Sequence, residues 1–268
     1  MSRLFCNGQP ADATLLGAVL VNYGHFTSLQ VRNGAVQGWS LHLRRLQQAT
    51  HELFDTPLDV AQLCVWLEDA LAQCGMRDAS VRITVFSREF DFRQPLRVVP
   101  VDVLVGITAP VTMPTTARAV MSLRYQRELP HIKHVGTFPL FHHRRHAMRE
   151  GFDDVVFVDE AGKVSEGSTW NLAFWDGAQV VWPQAAALRG VTEQLLMAGL
   201  DRLGQRQAQR ALELTALTGF AGAVACNASG LWPLAQIDGV SFAQSDLLLQ
   251  LLRRALGEAP WERLQIGS

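Results

Sequence analysis

Apolar and polar positions along the chain fall into two rhythms. RLFCNG (residues 3–8) reads as a strand running into Asn7-Gly8, a dipeptide that tolerates positive φ and marks a hairpin turn. GWSLHLRRLQQATHELF (38–54) has helical spacing, with Leu43, Leu46, Thr50 and Leu53 on one side. VAQLCVWLEDALAQCG (60–75) repeats that spacing and stops at Gly75, the residue type that closes helices in the left-handed region. SVRITVFS (80–87) alternates at period two, whereas LRVVPVDVLVGI (96–107) is apolar nearly throughout and predicts a more buried strand.

At APVTMPTTARA (109–119) two prolines and a cluster of threonines break both rhythms, which predicts a linker. Beyond it, DDVVFVDEAGKVSEG (153–167) and TWNLAFWDGAQVVWP (169–183) read as hairpins turning at Ala161-Gly162 and Asp176-Gly177. GVTEQLLMAGLDRLG (190–204) predicts a helix opening on a glycine, and SDLLLQLLRRAL (245–256) a helix capped by Ser245. Between them FAGAVACNASGLWPLAQIDG mixes strand and turn. The layout is an α/β part followed by a strand-rich α+β part, with domains expected at residues 1–112 and 113–268.

Composition narrows the function. The chain of 268 residues is 48% hydrophobic and 18% charged, enough apolar content for a sizeable core. Its formal net charge of −1, without a run of either sign, disfavours a nucleic-acid partner, and no apolar run is long enough to cross a bilayer. Four scattered cysteines without a CxxC pair suit reduced thiols, and the first residues have no apolar signal segment, so a cytoplasmic location is expected. Small-molecule chemistry is the default.

Lysine is almost absent. Lys+Arg totals 24, of which Lys133 and Lys163 are the only lysines. Lys163 lies in a polar hairpin turn, but Lys133 stands in ELPHIKHVGTFPLF among histidines and apolar residues. Arginine matches its charge and cannot replace it as an amine nucleophile; a primary amine forms a Schiff base, and an apolar setting favours its neutral form. A surface lysine with a buried stem is the alternative. Glu166, after one hairpin and before an alternating strand, could aim a carboxylate into a cleft as partner for a protonated ring nitrogen, with a solvated turn glutamate as the alternative. Gly190-Val191-Thr192 opens a helix whose first N–H groups and threonine hydroxyl could hold one phosphate or simply cap the helix.

In this order the motifs resemble those of fold-type IV pyridoxal-phosphate enzymes, the class IV aminotransferase family. That family includes branched-chain aminotransferases, D-amino-acid transaminases and 4-amino-4-deoxychorismate lyases. The resemblance implies a two-domain fold and a pyridoxal 5′-phosphate cofactor. HLRRL is similar to the family's H-x-x-R-L and implies that Arg45 binds the phosphate; IKH implies that Lys133 is the Schiff-base lysine. VSEGSTWNL resembles the family's glutamate-to-asparagine signature, giving Glu166 to the pyridine nitrogen, and RGVTEQLL resembles G-(I/V)-T-R, giving Val191 and Thr192 to the phosphate. CNASGLWPL resembles the loop that closes the phosphate site, which implicates Asn227, Ala228 and Ser229.

The chain also departs from the pattern. Glu193 stands where the family usually has arginine, and Phe138 stands where branched-chain enzymes carry tyrosine. Phe26-Thr27 is similar to the F-T-T of the lyases. Tyr23, Thr27, Arg88 and Arg93 are the expected substrate-binding residues, although Arg88 or Arg93 could equally pair with Glu89 or Asp91. His142 and His146 would share a helix face, but no carboxylate lies between them and arginines flank them, so no metal site is expected. The expected activity is transamination between an amino acid or amine and a keto acid, with a lyase as the alternative and an inactive protein of the same fold as a third reading. A homodimer with active sites near the subunit contact is expected.

Overall fold

The computed structural model describes residues 2–112 and 116–264; Met113, Pro114 and Thr115, at the centre of the expected linker, lie outside the described residues. The chain forms two compact units. The first runs to Val111 and adds Ile132–Gly136 and the segment from Trp261; the second comprises Thr112–His131 and Thr137–Pro260.

In the first unit, β1 (Arg3–Cys6) turns through Asn7 (φ 48°) and Gly8 (φ 80°) into β2 (Gln9–Pro10), the hairpin that Asn-Gly encodes. Then come α1 (Leu16–Val21), β3 (His25–Val31), β4 (Ala35–Gln37), α2 (Trp39–Phe54), α3 (Val60–Cys74), β5 (Ala79–Phe86) and β6 (Asp102–Thr108). The strands make an antiparallel sheet in the order β2-β1-β6-β5-β3, and Trp261–Arg263 pairs with β4. Alternation sends Leu29, Val31, Val81, Ile83 and Val105 into a core completed by Leu46, Leu63 and Leu67 of the helices.

Three details differ from the expectations. The buried face of α2 runs through Trp39, His42, Leu46, Ala49, Thr50 and Phe54, leaving Leu43 and Leu53 only half-buried. The strand of residues 96–107 begins only at Asp102, because Pro100 has no N–H for a ladder. Lys133 belongs to the first unit, not to the second domain. Phe26 N–H donates to Lys133 O (2.9 Å), Val135 N–H donates to Gly24 O (3.0 Å), and His134 bridges His25 in antiparallel fashion, so this segment pairs with the start of β3.

The second unit contains β7 (Arg118–Arg124), α4 (Phe138–Arg149), β8 (Asp154–Val158), β9 (Val164–Gly167), β10 (Asn171–Trp175), β11 (Val180–Pro183), α5 (Val191–Arg202), β12 (Gln207–Arg210), β13 (Gly222–Asn227), β14 (Gly230–Ile237), β15 (Val240–Ser241) and α6 (Ser245–Gly257). Its sheet of nine strands runs β12-β11-β10-β13-β14-β7-β8-β9, with β15 beside β14. β11–β12, β14–β7 and β7–β8 are parallel pairs. Trp170 and Trp232 meet edge to face in one core, and α5 and α6 bury Leu196, Leu200, Leu248 and Leu252 in another. Ser245 does not cap α6. Its buried hydroxyl accepts from Ala223 N–H (3.0 Å) and donates to Leu234 O (2.6 Å), pinning the helix to β13 and β14.

Candidate active site

In the first unit, period two along β3 turns His25 and Thr27 toward α2 and Phe26 to the opposite face of the sheet. His25 Nε2 hydrogen-bonds the Thr50 hydroxyl at 2.9 Å. Arg45 donates to the Thr27 hydroxyl, whose own hydrogen then serves His42 Nδ1 at 2.6 Å. His42 Nδ1 is therefore an acceptor and its proton sits on Nε2. Burial, and then the Arg45 charge, bring the His25 pKa from 6.5 to about 4. Burial, then Arg45, then Lys133 push His42 the same way. Both rings are neutral at pH 7, so arginine and lysine supply the positive charge.

Lys133 Nζ lies 5.0 Å from the centre of the Phe26 ring, and Arg82 Cζ lies 3.5 Å from the same centre. Burial of the guanidinium lowers the Arg82 pKa, although much of the residue is open to solvent. Sequence reasoning missed Arg82. The signal was present, since the middle of SVRITVFS alternates and places an arginine on the face away from the core.

The other expected substrate residues of this unit are committed to local structure. The Tyr23 hydroxyl donates to Leu53 O (3.0 Å), and its ring stacks on Phe90 (4.1 Å between centroids). Arg88 pairs with neither Glu89 nor Asp91. Its Nε and Nη2 both donate to Asp102 Oδ1 (3.1 and 2.7 Å), and its backbone N–H donates to Oδ2 (2.8 Å). Burial pushes the Asp102 carboxyl up, but the Arg88 and Asn7 hydrogen bonds outweigh it and leave the pKa below the usual value. Arg93 is exposed, 4.0 Å from Asp91 and over the Phe92 ring.

In the second unit, Glu166 is buried on β9, and its Oε1 lies 4.0 Å from Nε of the buried Arg127. Arg127 carries no sequence signal beyond preceding the lysine. The residues after Glu166 are held closely. Gly167 N–H donates to Trp170 O (2.8 Å), and the Trp170 indole lies where a Gly167 side chain would begin. Ser168 donates to Asp154 (2.6 Å), and Asn171 Nδ2 donates to Leu188 O (2.7 Å).

Leu188–Gly190 lead into α5, whose N-cap Gly190 provides no side-chain cap. The first N–H groups of α5 therefore have no intrahelical acceptor, beside the buried Thr192. Arg189 donates to Glu193 (2.8 Å) and to Pro183 O and Ala185 O, so the substituted glutamate forms an ion pair across the first turn. Burial raises the Glu193 pKa in spite of Arg189. Burial, with the Glu193 charge second, also pushes the Cys226 thiol up. At the β13–β14 turn Asn227 donates to Thr169 O (3.3 Å) and accepts from Ser229 N–H (2.8 Å), with Ala228 between them; the Asn227 side chain builds the turn.

Within the first unit the Lys133 amine and the Arg45 guanidinium have the chemistry to take an aldehyde and a phosphate. Within the second, the buried Glu166 carboxylate has the chemistry to pair a protonated ring nitrogen, and the first N–H groups of α5 that to take a phosphate, so the residues of each unit fit parts of pyridoxal phosphate. Among the described residues, no group of three or more His, Cys, Asp or Glu side chains forms a candidate metal site, and no helix is long and apolar enough to cross a membrane.

The model of the amino-transferase class IV family matches residues 24–237. No curated protein sequence matches. The fold is similar to that of the Escherichia coli branched-chain amino acid aminotransferase, with a TM-score of 0.84 at 15% identity over 98% of this chain and 99% of that one. The T.th. branched-chain amino acid aminotransferase with pyridoxamine 5′-phosphate gives 0.83 at 17% identity, over 95% and 92%. A Legionella pneumophila protein described as a 4-amino-4-deoxychorismate lyase gives 0.78 at 16%, over 88% and 92%. The architecture is that of the fold-type IV enzymes.

Proposed function

The chain belongs to the class IV aminotransferase family, and from that premise we propose that it uses pyridoxal 5′-phosphate to move an amino group between an amino acid or amine and a keto acid. The observation that carries this reading is Lys133, one of two lysines in the chain, held by backbone hydrogen bonds to β3 with its amine over the Phe26 ring. Lys133 would hold the cofactor through its amine and, once freed by the substrate amine, would act as base toward the substrate Cα proton and then as acid, without giving the proton back to that carbon. Glu166, with Arg127 beside it, would keep the ring nitrogen protonated. Arg45, Val191 and Thr192 would anchor the phosphate, with the Ala228–Ser229 turn as a further contact. The bound cofactor supplies an electron sink for the charge that develops at Cα. Arg82, which shares the Phe26 ring with Lys133, is better suited than Arg88 to meet a substrate carboxylate, because Arg88 is committed to Asp102.

Elimination of the 4-amino-4-deoxychorismate lyase type is the second reading, favoured by Thr27 after Phe26 and by Phe138 in place of tyrosine. Absorbance of the protein loaded with pyridoxal phosphate separates the two. Conversion to pyridoxamine phosphate on adding an amino donor supports transfer. Turnover of 4-amino-4-deoxychorismate without that conversion supports elimination, and no response to any amine supports an inactive protein of this fold.

A further inference from the structure

We infer that Asn171 is the positioning residue that fixes the amino end of α5 to β10, the strand that follows the turn after Glu166; this rests on the reading of Val191 and Thr192 as phosphate anchors. Asn171 opens β10, is buried, and pairs with Cys226 through the β10–β13 ladder, so its backbone is fixed by the sheet. Its side chain leaves the sheet and meets the loop that enters α5. Nδ2 donates to Leu188 O at 2.7 Å, and Oδ1 lies 2.2 Å from where a Cβ on Gly190 would stand.

Gly190 has φ −63° and ψ 145°, an ordinary extended conformation open to any residue. Glycine is required here for space, and Asn171 is what fills that space. On the other side Arg189 holds the same loop through Pro183 O, Ala185 O and Glu193. The loop is closed against one amide, and the next two residues are Val191 and Thr192. An apolar side chain of similar size would leave the Leu188 carbonyl without its donor. Glu166 joins the same piece through the turn to β10, where Gly167 N–H donates to Trp170 O (2.8 Å) just before Asn171, so the turn and the amide together set the spacing between the group for the ring nitrogen and the groups for the phosphate.

The test compares binding of pyridoxal 5′-phosphate and of unphosphorylated pyridoxal, followed by tryptophan quenching, in the wild type, Asn171→Ala, Gly190→Ala and the double variant. Asn171→Ala should weaken the phosphorylated ligand at least about tenfold and pyridoxal less than about twofold. Gly190→Ala should do the same, and the double variant should be no worse than either single, because the added methyl group then has room. Equal loss of both ligands, or losses that add in the double variant, would overturn the inference and leave the cofactor reading intact. A wild type that binds neither ligand removes the cofactor reading and this inference with it.

Discussion

A guanidinium in place of the Lys133 amine would keep the charge over Phe26 and lose the only chemistry that distinguishes the two side chains. Lys133→Arg should therefore fold, retain its net charge and lose covalent attachment of pyridoxal phosphate. Borohydride reduction and peptide mapping check this; a label on Lys163 would place the attachment elsewhere. At Glu166 the relevant property is charge. Glu166→Gln should still bind the cofactor while turnover falls by about 10²-fold or more, because a neutral amide cannot hold a ring nitrogen protonated. Steady-state kinetics of the loaded variant measure it, and unchanged turnover would reduce Glu166 to a strand-end residue paired with Arg127. Lys133 was readable because rarity and surroundings point to one residue. Arg127 was not, since its meaning comes only from the burial it shares with Glu166.

At the scale of elements, β3 and α2 share a buried polar seam of His25, Thr27, His42 and Thr50. An unfolded chain protonates His25 below about pH 6.5, whereas the folded chain does so only near about 4. The depressed pKa contributes stability that is present above 6.5 and lost as the pH falls from 6.5 to about 4. The loss across that window is roughly 3 kcal/mol, and His42 adds in the same direction. Urea midpoints should fall between pH 7.5 and 5.5, and His25→Asn should flatten the dependence while lowering stability at pH 7.5. A wild-type midpoint that does not move would show that the seam admits protons freely. The seam also shows the limit of periodicity. Spacing alone located α2, but a rule that looks for apolar residues chose Leu43 and Leu53 over His42, whose buried ring is hydrogen-bonded to Thr27 from another element.

For the whole molecule, the two-part layout could be read from the linker composition, but the place of the lysine could not. Its segment lies beyond the linker in sequence and joins the first unit through two backbone hydrogen bonds, one with Phe26 of β3 and one with Gly24 just before it, which no local pattern records. The surface of that unit carries the last expectation. Leu16 (64% exposed), Leu20 (84%), Phe92 (67%) and Leu96 (90%) leave large apolar side chains in water, and an open groove of about 530 Å³ runs between Leu20, Val21, Tyr23, Phe90, Phe92 and Pro95. Single exposed leucines need no explanation, but a groove walled by aromatic and aliphatic groups does. We propose that a second copy of the chain covers it, as two-fold symmetry is the commonest way for a soluble protein to bury such a patch. Tyr23 fits a supporting role there, since its hydroxyl is spent on Leu53 and its ring forms a wall of the groove. Leu20→Asp should leave the fold intact, because the side chain is exposed in the single chain, and should weaken dimerisation by about 2 kcal/mol or more. Sedimentation across a dilution series reads this directly, with activity expected to fall as the dimer dissociates. A wild type that sediments as a fully active monomer at assay concentration, or a Leu20→Asp variant that dimerises as tightly as the wild type, would exclude this face as the subunit contact.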